Sequence, residues 1–298
     1  MAAWSESQSA VLPTMSVNMK VLWPSGVEAT AGSLHRLHHA VKLRPPYAGW
    51  NRSFDDGKVE MLATQPFLNT DLYSVPKIVF YFAGFYLWTP AYVSIVRRGF
   101  RTKQLEEPML AVCGNIAWEF YWGLFVHLDM GWALKVCYVG GFLLDCFILY
   151  WLYRVGWKQS RSVDLRRLWP LIVTATLVAL VAFYATFQRN NYDLPLGSNS
   201  AYLDNIMVSG LYLWFGLSRH PDDMSLTVAW SKMLGTGLVS VFVFWEYPDN
   251  GFIHTLAIIT AVLDLAYFAL LLRRRRDHRL GTLLPSVQPA SGSSVQPA

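Results

Sequence analysis

Leu168-Trp-Pro-Leu-Ile-Val-Thr-Ala-Thr-Leu-Val-Ala-Leu-Val-Ala-Phe-Tyr-Ala-Thr-Phe187 runs for twenty residues without a charge. A helix rises about 1.5 Å per residue, so this run matches the hydrocarbon core of a bilayer, roughly 30 Å thick. Hydrocarbon offers no partner to a free backbone N–H or C=O, and a helix pairs all of them within the segment. Six further apolar blocks lie around it. The predicted spans are Pro76–Val96, Glu107–Val126, Trp132–Trp151, Leu168–Phe187, Ala201–Leu217, Val228–Trp245 and Gly251–Leu272. The expected fold class is all-α, a bundle of seven transmembrane helices. Three regions follow from this: an N-terminal extramembrane segment over residues 1–75, a membrane domain over 76–272, and a basic then disordered tail over 273–298. That tail carries Ser-Val-Gln-Pro-Ala twice, from Ser286 and from Ser294, and has too little apolar content to build a core.

The composition agrees. The chain has 298 residues, 53% hydrophobic and 15% charged, where a soluble domain carries about 25% charged. Cys113, Cys137 and Cys146 all fall within apolar blocks, without ligand spacing, so no zinc site or disulfide framework is expected. His35, His38 and His39 lie in the N-terminal segment and likewise set no metal site. The net charge of +5 sits at membrane edges and marks topology, not a nucleic-acid surface. Arg97, Arg98, Arg101 and Lys103 follow the first span; Arg154, Lys158, Arg161, Arg166 and Arg167 follow the third; Arg219 follows the fifth; Arg273 to Arg276 follow the seventh. The opposite loops hold almost no Lys or Arg. This integral, multi-pass membrane protein is thus expected to keep its C-terminus in the cytosol.

Three short patterns recur in order. Gly84-Phe-Tyr86-Leu-Trp88 resembles Gly210-Leu-Tyr212-Leu-Trp214, Trp118-Glu119 resembles Trp245-Glu246, and Leu144-Asp145 resembles Leu263-Asp264. The offsets are about 120 to 127 residues, which suggests a parallel 3+1+3 internal repeat with a central site between halves.

Carboxylates inside membrane spans cost at least about 2.5–3.5 kcal/mol each on insertion scales, and chains that keep them use them. Glu119, Asp145 and Asp264 are the candidates. Burial disfavours the charged form, and a carboxylic acid held neutral near pH 7 can donate a proton. Asn115, Trp118, Glu119 and Trp122 follow helical spacing, so Asn115 is expected to bond the Glu119 carboxyl and the two indoles to wall it. Thr260 and Tyr267 are expected to share the Asp264 face. Asp145, one turn from Gly141, reads more as packing than as chemistry. Tyr212 shares a polar stripe with Asn205 and Ser209. Aromatic faces stabilise cations without trapping them, which suits carbocation chemistry.

Gly114-Asn115-Ile-Ala-Trp118-Glu119-Phe120, together with Leu263-Asp264, resembles the small membrane-integral terpene cyclases of meroterpenoid and indole-diterpene pathways. The resemblance covers the seven-span region. It implies a metal-independent, cofactor-free cyclase with Glu119 and Asp264 as catalytic acids. Asn115, Trp118, Trp122, Asp145, Tyr267 and Tyr212 then bind substrate or stabilise cations. The implied partners are the lipid bilayer, a lipophilic prenylated small molecule, and an upstream flavin epoxidase that prepares its terminal alkene. In a eukaryotic host the resemblance implies the endoplasmic reticulum membrane. The N-terminal segment is longer than this family needs. A small-solute transporter with a 3+1+3 repeat is the alternative. Such carriers place proline hinges at matching points in each half, and Pro90 in the first span has no counterpart in the fifth. A receptor or scaffold ranks last, since no Asp-Arg-Tyr follows the third span.

Overall fold

The computed structural model describes residues 65–159 and 163–281. Most of the N-terminal segment, Arg161 and the two pentapeptides lie outside the described residues. Eight helices make up the rest: α1 Val75–Thr102, α2 Met109–Leu124, α3 Trp132–Val155, α4 Val163–Arg167, α5 Trp169–Arg189, α6 Ser198–Ser218, α7 Leu226–Glu246 and α8 Gly251–Arg279. No strand occurs among the described residues. Seven helices fall on the seven predicted blocks; the five-residue α4, in the basic loop after α3, was not expected.

Five helices are long and apolar enough to cross a membrane: α1, α3 with the turn that follows it, α5, α7 and α8. The protein is therefore an all-helical, multi-pass membrane protein. α2, at 16 residues, is shorter than a simple span. α6 opens on polar Ser198, Asn199 and Ser200 and carries Asp204 and Asn205.

The helix ends follow from sequence. Pro76 and Pro170 occupy first-turn positions of α1 and α5, where a missing N–H costs nothing. Pro108 caps α2 and leaves Glu107 outside it, correcting the expected start at Glu107. Asn250 accepts from Ile253 N at 3.3 Å to start α8. α8 continues to Arg279, past the expected end at Leu272, because Arg276, His278 and Arg279 in its last turn suit the negative end of the helix dipole. Lys135 of α3 donates to Val126 O at 2.7 Å, taking up a carbonyl freed where α2 ends.

Asp193 fixes the start of α6. Its Oδ1 accepts from the backbone N–H groups of Leu194, Asn199 and Ser200 at 3.0, 2.8 and 3.1 Å. Three donors on one carboxylate oxygen at a helix N-terminus form an anion seat. Asp193→Ala should lower stability by about 1–2 kcal/mol, the upper range for a lost cap, read as a drop in thermal midpoint in detergent.

α3 packs on both α1 and α2, and α8 packs on both α6 and α7. Across the bundle α1 lies along α7, and α2 meets α6. α5 covers α2 from outside. Gly84 and Gly235 bring α1 and α7 close: a Cβ at Gly84 would lie 2.7 Å from Gly235 O. The Ser231 hydroxyl of α7 donates to Leu87 O across that seam. Two apolar clusters fill the bundle. One contains Tyr73, Trp118, Trp122 and Tyr138; the other contains Ile95, Ile148, Tyr212 and Leu271. Along α3, Asp145 lies between Tyr138 of one and Ile148 of the other. Along α8, Asp264 lies between Ala257 and Tyr267 in the same way.

Candidate active site

Three helices converge on the Glu119 carboxyl. α2 carries it. Tyr92 of α1 donates its hydroxyl to Glu119 Oε1 at 2.9 Å. Gly141 of α3 leaves room for it, since a Cβ there would lie 2.5 Å from Oε1 and 2.8 Å from the carboxyl carbon. One turn along α3, Asp145 is buried as well, and neither its carboxyl oxygens nor Glu119 Oε2 has a hydrogen-bond partner among the described residues. Both residues are buried, and among the described residues neither forms an ion pair. Gly141, one turn before Asp145 on α3, opens the space that the Glu119 carboxyl occupies.

The same Tyr92 and Gly141 line a groove of about 390 Å³ between α1 and α3. Phe82, Phe85 and Tyr86 supply aromatic walls, and Gly140 leaves one side open. Tyr86 is 75% exposed, so the groove opens sideways from the bundle. Glu119 therefore sits behind the floor of an aromatic groove. A larger hollow of about 670 Å³ lies elsewhere, among Arg273, Arg275, Arg276 and Arg279 of α8. Its guanidinium groups would repel a carbocation, and none of its lining residues contacts Glu119.

The other predicted residues take different places. Asn115 does not bond Glu119; its amide donates to Glu107 Oε1 at 3.0 Å. Glu107 stands before the Pro108 cap and folds back over α2, while Glu119 accepts from Tyr92. Trp118 and Trp122 stack with centroids 6.0 Å apart, and the Trp118 indole donates to Ser200 Oγ at 2.9 Å. They pack on Gly197, whose φ of +72° and missing side chain a larger residue could not match. They do not line the groove; α1 supplies its aromatic walls. Tyr138 joins the two sets, edge-on to Trp118 at 5.0 Å and stacked on Phe85 at 5.7 Å.

Asp264 also differs from expectation. Thr260 bonds Leu256 O in its own helix, and Tyr267 packs on Tyr212 with ring centroids 5.4 Å apart. The partner of Asp264 is Lys232 of α7, whose Nζ is 2.5 Å from Oδ1. That ammonium also donates to Ser209 Oγ at 2.5 Å and lies 5.4 Å from the Trp88 ring centroid. Asp204 of α6 is a further buried acid. It accepts from Tyr184 at 2.9 Å and faces Gly114, where a Cβ would collide with it. Lys232, Asp204 and Tyr92 escaped the sequence reading. A lysine in an apolar run is the signal that could have found the first. Glu246, matched by sequence to Glu119, is the last residue of α7 and pairs with Lys77 at 2.9 Å.

At the basic end, Glu106 and Glu107 lie in the loop between α1 and α2 and are both buried. Burial pushes Glu106 up to about 7 although Arg98 opposes it, and burial with Glu106 beside it pushes Glu107 up to about 8. The folded state thus binds these protons more tightly than the unfolded chain, whose carboxyls titrate near 4.5. Stability from this source is full at pH below that value and is lost as pH rises through the two folded-state values. The thermal midpoint in detergent should fall between about pH 5 and pH 8, and the Glu106→Gln/Glu107→Gln double variant should flatten that fall. A midpoint that rises over the same window in the native chain and not in the variant would contradict this. Nearby, His220, Asp222 and His278 meet in an exposed group, with His278 Nε2 3.3 Å from Asp222 Oδ2. Their sequence spacing had not suggested such a set.

Residues 63–277 match the profile of a family described as Pyr4-like transmembrane terpene cyclases. The Pyr4-family terpene cyclase mfmH of Annulohypoxylon moriforme is 30% identical over 195 residues, covering 60% of this chain and 78% of that protein. The terpene cyclase andB of Emericella variicolor is 25% identical, over 55% of this chain and 71% of its own length. The asnovolin H synthase nvfL of Aspergillus novofumigatus is 27% identical, over 52% and 65%. No solved structure matches the chain closely enough to be significant.

Proposed function

The chain belongs to the Pyr4-like transmembrane terpene cyclases, and from that premise we propose that it protonates a prenyl chain in the α1–α3 groove and so starts cationic ring formation. The observation that carries this reading is the seat of Glu119, with Tyr92 and Gly141 touching its carboxyl on one side and lining the aromatic groove on the other.

The reaction needs few parts. Glu119 gives its proton to the oxygen of a terminal epoxide, left on the prenyl chain by a separate flavin epoxidase. The C–O bond breaks toward the more substituted carbon. The π electrons of the next alkene form a C–C bond to that carbon, and the cation moves along the chain. Phe82, Phe85 and Tyr86 offer ring faces to it. Loss of a proton ends the cascade and leaves a cyclic isomer of the substrate. Asp264 is the second carboxylate on which turnover depends. A polar headgroup on the substrate fits the meroterpenoid setting. The lipid itself delivers the prenyl chain, since the groove opens sideways.

Seven helices of 16 residues or more support a seven-span arrangement, with residues 76–272 as its core and the arginine-rich end of α8 in the cytosol. In a eukaryotic cell the endoplasmic reticulum is its membrane. The 3+1+3 repeat is supported by packing: α3 joins α1 and α2 as α8 joins α6 and α7, and α1 meets α7 as α6 meets α2. In the proposed repeat, Asp145 and Asp264 are equivalent, whereas Glu246 is not the counterpart of Glu119.

The test uses membranes that contain the full chain. Epoxidised farnesyl- and geranylgeranyl-bearing phenols are added without metal, and products are separated and identified by mass spectrometry and NMR. Cyclic isomers of unchanged mass are expected. A folded chain that leaves the whole panel unchanged would sink the proposal.

A further inference from the structure

Lys232 is a buried cation inside α7, 1% exposed, and its contacts run in two directions. Toward α8 and α6 it binds Asp264 and Ser209. Toward α1 it approaches the face of Trp88. Trp88 in turn packs on Tyr92, with ring centroids 5.9 Å apart, and Tyr92 donates to Glu119. A continuous line of contacts therefore links Asp264 to the proton donor through Lys232, Trp88 and Tyr92. The groove lies between α1 and α3, whereas Asp264 lies between α7 and α8 with its Oδ1 on an ammonium. Neither Asp264 nor Lys232 lines that groove.

Resting on the cyclase reading above, we infer that Asp264 and Lys232 are positioning residues: the buried pair holds Trp88 and Tyr92 in the arrangement that aims Glu119 at the groove, and Asp264 exchanges no proton with substrate. The Asp264 carboxyl is engaged by Lys232 Nζ and lies away from the groove, so it has no direct line to a substrate held there. A lone buried charge is costly, whereas replacing both members of a buried pair by apolar groups is often neutral or stabilising. That asymmetry separates a positioning pair from a reacting carboxylate. Methionine at 232 keeps a long apolar side chain against Trp88 and makes favourable sulfur–aromatic contacts.

The experiment compares Asp264→Leu, Lys232→Met, the double Lys232→Met/Asp264→Leu, Lys232→Arg and Trp88→Leu in the full chain. Folded protein is quantified by size-exclusion chromatography, and kcat and KM are measured separately. Each single apolar variant should lose kcat at least about tenfold, as its unpaired charge pulls α7 or α8 out of place. The double variant should regain at least about tenfold over Asp264→Leu. Lys232→Arg should keep most activity. Trp88→Leu, with the ion pair intact, should lose kcat with little change in KM, a split that a role confined to α7–α8 packing does not produce. A folded double variant as inactive as Asp264→Leu would overturn the inference, because Asp264 would then act on the substrate itself. Full activity in Trp88→Leu would overturn it as well, because the line to Glu119 would be broken. Absence of cyclic product from the unaltered chain would instead overturn the cyclase reading, so the two failures are distinct.

Discussion

Glu119→Gln leaves the bundle folded and lowers cyclisation about 10²- to 10⁴-fold, the range assigned to a positioned general acid. The amide has nearly the size of the carboxyl and fits the space that Gly141 leaves. Its oxygen can still accept from Tyr92, so the one hydrogen bond to this side chain is kept. What the amide lacks is a proton it can release to an epoxide. The measurement is product formed per folded molecule, beside the thermal midpoint in detergent. A normal midpoint with lost turnover is the expected pattern. Turnover close to that of the unaltered chain would remove Glu119 as donor. Substrate binding should survive, because the groove walls belong to α1 and α3 and the substituted residue to α2.

The two buried carboxylates lie in contrasting settings. Around Glu119 stand a hydroxyl and a glycine, beside an aromatic groove. Around Asp264 stand an ammonium and, beyond it, an indole face. The first carboxyl borders the space proposed for the substrate. The second is engaged within the packing of α7 against α8. Different surroundings are the usual basis for dividing roles between two carboxyl groups.

Much of the architecture was legible because bilayer length and backbone pairing leave a helix few choices. All seven long helices fall on predicted blocks, with ends within a few residues wherever Pro, Asn or an apolar boundary sets them. The short α4 was missed, since five residues give too little periodicity to read. Within the site, Glu119 stood out as a charge in an apolar run. Its contacts with Tyr92 and Gly141 did not, because helical spacing relates residues along one helix, whereas these two arrive from two others. Asn115 illustrates the point: it is well spaced to reach Glu119, yet Pro108 turns Glu107 back onto it. Lys232 was hidden by the average hydropathy of α7, which remains high with one lysine inside it. The Trp245-Glu246 match misled for a related reason. A dipeptide can recur at a different height along a helix, and Glu246 ends α7 where Glu119 lies within α2.

Two neighbouring glycines on α3 should respond in opposite ways to the same added methyl group. Gly140→Ala should be nearly silent, because nothing lies within 4 Å of its built Cβ. Gly141→Ala places a methyl 2.5 Å from Glu119 Oε1, and real Cβ atoms do not approach that closely. The carboxyl is the far end of a flexible side chain, so it can swing away while the helices stay where they are. Stability then changes little; alanine in a helix interior even gains about 1 kcal/mol over glycine. The proton, however, is carried away from Tyr92 and from the groove floor. A displacement of about 1 Å at a reacting group can cost about 10²-fold in rate, and that is the loss expected in kcat, with Gly140→Ala as the matched control. A larger residue such as Gly140→Phe would instead fill the open side of the groove and raise KM. If Gly141→Ala turned over as fast as Gly140→Ala, the Glu119 carboxyl could not be working from the position between Tyr92 and α3, and the donor would have to be sought among the other buried acids, Asp145 and Asp204 first.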